Sequence, residues 1–178
     1  MSLAMEVWNA VLSEFVDLIE PAEAARLGVR LFFAVLLGAV IGYDRERNAS
    51  SAGLRTHMLV ALGAALFVIV PQHGGFDSAD MSRVVQGLIA GIGFLGAGAI
   101  IKIDDRQEIR GLTTAASIWR TAAIGLTAGL GQLATAIAGT VVGFVVLAIV
   151  PRVDVAVKGR STPSDDTAGV PRPHTPGG

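Results

Sequence analysis

The chain has 178 residues, enough for one ordinary domain. Apolar residues make up 52% of it and charged residues only 16%, against roughly 25% charged in a soluble domain, and that balance favours a membrane protein. The absence of cysteine excludes disulfides, thiolate metal sites and cysteine nucleophiles, while the net charge of -1 conceals an uneven distribution that says more than the total.

The opening M-S-L-A-M-E-V-W-N-A has no basic stretch, so a cleaved signal peptide is not expected. Val7, Val11, Leu12, Phe15, Leu18 and Ile19 fall near helical spacing with Glu6, Glu14 and Asp17 off their stripe. This predicts an amphipathic helix over 1–21 lying along a membrane surface, favoured over a soluble helical alternative.

Charge-poor runs then divide the chain into five predicted spans. The run L-F-F-A-V-L-L-G-A-V-I-G-Y, extended back past Arg30 and Arg26, gives a first span over about 22–43, long enough for a ~30 Å hydrocarbon core. The second, about 57–71, is M-L-V-A-L-G-A-A-L-F-V-I-V, with Pro71 expected to close it. The third, about 84–101, is charge-free throughout. From Gly111 to Pro151 the only charge is Arg120, and at ~1.5 Å per residue this is too long for one span. G-L-G-Q, from Gly129 to Gln132, is a plausible turn dividing it into spans over 112–129 and 132–151. The Pro-, Gly- and Ser-rich remainder, 152–178, is expected to be a disordered cytoplasmic tail.

Basic residues fall on one side of this arrangement: Arg45, Arg47 and Arg55, then Lys102, Arg106 and Arg110, then Arg152, Lys158 and Arg160. The opposite loops hold only Arg83, and Glu6, Glu14, Asp17, Glu20 and Glu23 precede or open the first span. The positive-inside rule therefore predicts an external N-terminus and a cytoplasmic C-terminus.

G-I-G-F-L-G, Gly91 to Gly96, fits the G-x-G-x-x-G template for dinucleotides. That fingerprint needs a preceding strand and an acidic residue about 20 positions on, and the latter distance arrives at Gly111. The favoured reading is a small-residue surface. Gly87, Gly91 and Gly98 form a stripe that lets helix backbones approach closely, and Gly125 with Gly129 and Gly139 with Gly143 repeat the spacing. The stripe predicts a homodimer, with packing inside one chain as its alternative role.

The motifs R-L-F-F-A-V-L-L-G-A-V-I-G-Y-D-R-E-R, A-G-L-R-T-H-M-L-V-A-L-G-A-A-L, G-I-G-F-L-G-A-G-A-I-I and R-G-L-T-T-A-A-S-I-W closely resemble, in order, those of the MgtC/SapB family of bacterial inner-membrane proteins. The resemblance runs from about Arg26 to Pro151. It implies an all-α bundle of five transmembrane helices with an external N-terminus, and a role in adaptation to low magnesium and survival inside host phagocytes. It also implies that direct magnesium transport is doubtful and that some members restrain the membrane ATP synthase. Two departures are expected to matter: the short tail stands where many members continue into a soluble domain, and Arg120 stands where the family usually has a small or apolar residue.

Asp44 and Glu46 match the acidic pair of the family's G-x-E-R-E motif. Two carboxylates could help hold a hydrated Mg²⁺, although pairing with Arg45, Arg47, Arg55 or Arg110 is the favoured role. Thr113, Thr114 and Ser117 could cap the fourth helix or bond across helices. Arg120 lies about nine residues, or ~13 Å, into its span, where a charge costs from about 3 to more than 10 kcal/mol. An aqueous cavity, a re-entrant neighbour or a second subunit could compensate it. Arg30, with Arg26 at i-4, can snorkel to the outer interface, and His73, Asp77 and Asp80 are expected in a solvated loop.

No nucleophile elbow or H-E-x-x-H occurs, and His57, His73 and His174 lie at span ends or in the tail. The expectation is a non-enzymatic protein with no cofactor beyond a possible Mg²⁺, no nucleic acid partner, and lipid, a second copy and other inner-membrane proteins as partners. It would act as a regulator, with a transporter or channel for Mg²⁺ or protons as the alternative.

Overall fold

The computed structural model describes residues 3–13, 20–103 and 108–158, which form six helices and one short hairpin. Helix α1 covers Leu3–Ser13, α2 Pro21–Arg47, α3 Leu54–His73, α4 Ser78–Gly98, α5 Leu112–Gly129 and α6 Leu133–Lys158. Strands β1, Ile101–Ile103, and β2, Glu108–Arg110, pair antiparallel with Ile101 opposite Arg110. The hairpin was not anticipated, since 102–110 reads only as a charged connection. Glu14, Phe15, Asp17, Leu18, Ile19, Arg106 and 159–178, which include Arg160 and His174, lie outside the described residues.

The chain divides into two units, Met1–Gly143 and Phe144–Gly178. In the first, α3 packs between α2 and α5, α2 also touches α5, and α4 rests mainly on α5. Small residues make that arrangement close. A Cβ added at Gly38 would lie 2.7 Å from the His57 carbonyl oxygen, and one at Gly42 would lie 2.7 Å from Leu54 Cα. From α5, a Cβ at Gly125 would come within 2.6 Å of Ala61 Cα and one at Gly129 within 2.8 Å of Ala65 Cα. Two G-x-x-x-G pairs, one from α2 and one from α5, therefore press on one alanine-rich helix, the device by which helices gain van der Waals contact in lipid. The second unit continues α6 from Phe144 to Lys158, so the helix passes Pro151 instead of stopping there.

Within one chain, Gly87, Gly91 and Gly98 do not share this role. A Cβ at any of the three would meet nothing within 4 Å, and Ile92 is the one buried residue of α4. Among the described residues the stripe is therefore left open.

Local chemistry sets the helix ends. Asp77, read from sequence as part of a solvated loop, is the N-cap of α4: its Oδ1 accepts from the Ala79 and Asp80 amides at 2.8 Å each. The helix thereby starts at Ser78, ahead of the apolar run. Pro71 lies inside α3, two residues before its last residue, His73, so the helix does not close at the proline. Gly111 precedes α5 at φ 94°, a left-handed backbone, and a Cβ there would collide with the Ala99 carbonyl.

Helices α2, α3 and α4 are each long and apolar enough to cross a membrane. Helix α5 carries Thr113, Thr114, Ser117, Arg120, Thr121 and Thr127 among its 18 residues, and the apolar stretch of α6 counted on the same basis is the shorter Leu133–Ile149. Large apolar side chains cover the outside: Phe32, Leu36 and Val40 on α2, Leu59, Leu66 and Phe67 on α3, Ile89, Phe94 and Leu95 on α4. Helix α1 is exposed over its whole described length, with Leu3, Trp8 and Leu12 among its apolar residues.

Candidate functional site

At one end of the α2/α3/α5 core a seam of polar side chains replaces the apolar packing. Its centre is His57 in the first turn of α3, fully buried. The ring Nδ1 lies 2.9 Å from the Gly53 carbonyl oxygen and Nε2 lies 3.1 Å from Ser117 Oγ. A carbonyl can only accept, so Nδ1 carries a hydrogen. Ser117 Oγ also lies 2.9 Å from the Thr114 carbonyl oxygen, to which it can donate. Since a hydroxyl has one hydrogen, it points either to Nε2 of a neutral imidazole or to Thr114 while Nε2–H of an imidazolium donates to Oγ.

The remaining hydroxyls extend the seam. Thr114 Oγ1 lies 3.0 Å from Ser50 Oγ, linking α5 to the α2–α3 connection, and Thr121 Oγ1 donates to the Ser117 carbonyl at 2.8 Å. Thr114, Ser117 and Thr121 are all buried. Their spacing of three and four places them on one face of α5, which is the signal by which the site could have been found. Nothing local to the sequence pairs that face with His57.

Arg45 of α2 is buried beside it, its Nε donating to Asp44 Oδ2 at 3.0 Å and its Nη2 to the same oxygen. Asp44 Oδ1 also accepts from Asn48 Nδ2 at 3.2 Å. Arg120 lies half-buried on α5, against Gly143 of α6, where a Cβ would strike the guanidinium. The charges of Arg45 and Arg120 both reach His57, and those of Arg45 and Asp44 reach Arg120. The seam therefore gathers two guanidinium groups, one carboxylate and one imidazole.

Asp44 and Glu46 make separate contacts. Glu46 is exposed, and its Oε2 accepts from the Leu54 amide at 2.9 Å, capping α3, whose N-cap Gly53 has no side chain to do so. Asp44 is held by Arg45 and Asn48 instead. Among the described residues no group of three His, Cys, Asp or Glu side chains is placed to hold a metal ion. Arg55 and Thr113 are exposed on the first turns of α3 and α5, and Arg110 is exposed at the end of β2. Ser50 and Thr121 are the members of the seam that reading the sequence did not name, while Arg45 appeared there only as a partner for the carboxylates and His57 only as a residue at a span end.

The model of the MgtC family matches residues 31–156. Protein SrpB of Synechococcus elongatus is 48% identical over 125 residues, covering 64% of this chain and 69% of that protein. The putative magnesium transporter YhiD of Escherichia coli K12 is 41% identical over 128 residues, 68% of this chain and 59% of that protein. Protein MgtC of Salmonella typhimurium is 44% identical over 114 residues, 64% of this chain but 48% of that protein. The chain thus spans about half to two thirds of the length of these relatives. No solved structure matches it.

Proposed function

This chain belongs to the MgtC family, and from that premise we propose that it is a non-enzymatic regulator in the bacterial inner membrane, serving adaptation to low magnesium and intracellular survival through contacts with other membrane proteins. The membrane ATP synthase is the candidate partner that family resemblance suggests. The observation that carries this reading is the charge of the polar seam. Among the described residues, Arg45 and Arg120 accompany one carboxylate, Asp44, which is already engaged by Arg45, and Glu46 is engaged by the α3 amide. A Mg²⁺ path needs unengaged oxygen ligands, whereas guanidinium groups repel cations. Deletion of the gene is expected to slow growth at low magnesium while leaving the initial rate of Mg²⁺ uptake unchanged, and Asp44→Ala with Glu46→Ala to reproduce that defect. A matching fall in initial uptake in the deletion strain contradicts the regulator.

The second reading, a transporter or channel for Mg²⁺ or protons, draws support from the name of the E. coli relative and from the buried His57, whose ring meets the Ser117 hydroxyl at 3.1 Å.

The reading includes five spans formed by α2 to α6, with α1 lying in the membrane interface, the N-terminus outside and the C-terminus in the cytoplasm. Polar residues on α5 fit a helix shielded by α2, α3 and α4, and the basic residues near Asp44, Arg55 and Arg110 fit a cytoplasmic rim. Single cysteines at Ser13 and Ser161 should label from opposite faces of spheroplasts. Labelling of both from one face would refute an odd number of spans.

The open Gly87, Gly91 and Gly98 face supports a homodimer, the commonest closed assembly. Gly91→Leu has room within its own chain, so it should weaken self-association in detergent by about ten-fold or more without unfolding the protein. Unchanged dimerisation of the folded variant removes this face from the interface.

A further inference from the structure

At the end of the bundle away from His57, α3 and α5 stop while α2 continues. Arg30 marks the level: its Nη1 donates to Gln72 Oε1 at 3.0 Å, next to the last residue of α3, and to the carbonyl of Gly129, the last residue of α5, at 3.2 Å. The guanidinium also lies against Gly131, where a Cβ would come within 2.8 Å of Nη2. Arg26 is one turn further out at i-4 and Glu23 a further turn out, both beyond the ends of the neighbouring helices.

These residues line a pocket of about 410 Å³ with Leu27, Gln72 and His73. Among the described residues Arg26 makes no hydrogen bond or ion pair, so its guanidinium is not committed to the fold. His73 Nδ1 donates to the Ile69 carbonyl at 2.9 Å, which leaves Nε2 as the ring nitrogen for a ligand. Two guanidinium groups against one carboxylate make the pocket cationic, and Arg30 is held in a fixed orientation by three elements. Capping of α5 accounts for Arg30 alone; it gives no role to a second arginine one turn outward on the same wall.

We propose that this pocket binds a phosphate group, with Arg26 and Arg30 as its cationic wall and Gln72 as a neutral donor. Planar guanidinium groups match phosphate oxygens in charge and geometry. Helix α3, 20 residues long, measures about 30 Å, the thickness of a hydrocarbon core. Its end therefore sits at headgroup depth, and the phosphate of an anionic phospholipid is the source the position favours, with free phosphate as the other source of the same chemistry. The site is separate from the polar seam and stands whether or not magnesium regulation is the role.

Arg26→Gln is the informative variant because among the described residues Arg26 makes no hydrogen bond or ion pair that its loss would break. Native mass spectrometry of the full chain, exchanged into phosphatidylglycerol or into a diacylglycerol of the same chain length, reads lipid retention directly. Melting of the same proteins with and without inorganic phosphate reads the free anion. Arg26→Gln should retain phosphatidylglycerol about five-fold less well than the parent, with equal diacylglycerol retention and an unchanged melting temperature without ligand; this identifies the lipid. A rise in melting temperature with inorganic phosphate in the parent but not in Arg26→Gln identifies free phosphate instead. Equal phosphatidylglycerol retention in both proteins, together with no difference between them in response to phosphate, overturns the site.

Discussion

Gly125→Ala is expected to lower the stability of the folded protein by about 2–3 kcal/mol. The new methyl group would point at backbone, not at a side chain that can turn aside: it comes within 2.6 Å of Ala61 Cα and meets the Ala61 carbonyl oxygen. Relief requires α5 to move away from α3, and that movement pulls Gly129 from Ala65 and Ser117 from His57 as well, because all three contacts lie along the same pair of helices. Alanine is the better helix former by about 1 kcal/mol, so the steric term has to exceed that gain. Gly63→Ala supplies the control, since a Cβ there meets nothing within 4 Å. Thermal unfolding in detergent should show Gly125→Ala melting well below the parent and Gly63→Ala at or above it; equal melting of the two variants would mean that the α3–α5 contact is looser than described.

Ser117→Ala should cost about 1–3 kcal/mol, and His57→Leu combined with it should recover much of that loss. The asymmetry follows from what each change leaves behind. Removing the Ser117 hydroxyl strands Nε2 of a fully buried imidazole without its partner. Removing the imidazole leaves the Gly53 carbonyl with the His57 amide at 3.2 Å and lets the serine hydroxyl turn to Thr114. A double-mutant cycle on the unfolding free energies measures the coupling. A coupling near zero would show that the two side chains do not rely on each other.

Much of the helical framework was legible because it depends on runs of one residue class. Charge-free stretches located α2 to α6, and Gly129 to Gln132 marked the turn between the last two, where Gly131 takes φ 82°. What sequence misjudged depended on partners distant in the chain or on single side chains. Gly91 and Gly125 sit in the same G-x-x-x-G spacing, yet one faces open space and the other a backbone; spacing states that a close approach is permitted, and only packing states where it occurs. Asp77 read as a loop residue because its role rests on two amides that an apolar-run argument does not see. The hairpin at 101–110 and the continuation of α6 past Pro151 escaped for the same reason.

The site followed the same rule. Asp44 and Glu46 were recognised as acidic neighbours of a helix end, and pairing with arginine, the favoured role, holds for Asp44 through Arg45. The partner of Glu46, a backbone amide eight residues later, carries no sequence signal. His57 stood out only as a polar residue at a span end, since its partner Ser117 is 60 positions away. Arg120 was legible as a cost, and its setting, beside Gly143 and within reach of the charges of Arg45 and Asp44, needed the fold.

On the proposed reading, the cationic seam and the engaged carboxylates serve regulation, not ion passage. The most direct test of that reading is Mg²⁺ entry into liposomes holding the purified full chain, followed with a magnesium-sensitive dye trapped inside. Entry should be no faster than into protein-free liposomes, both for the parent and for the Asp44→Ala, Glu46→Ala variant. Rapid entry with the parent that the double substitution abolishes would contradict it and make those carboxylates ligands on a transport path.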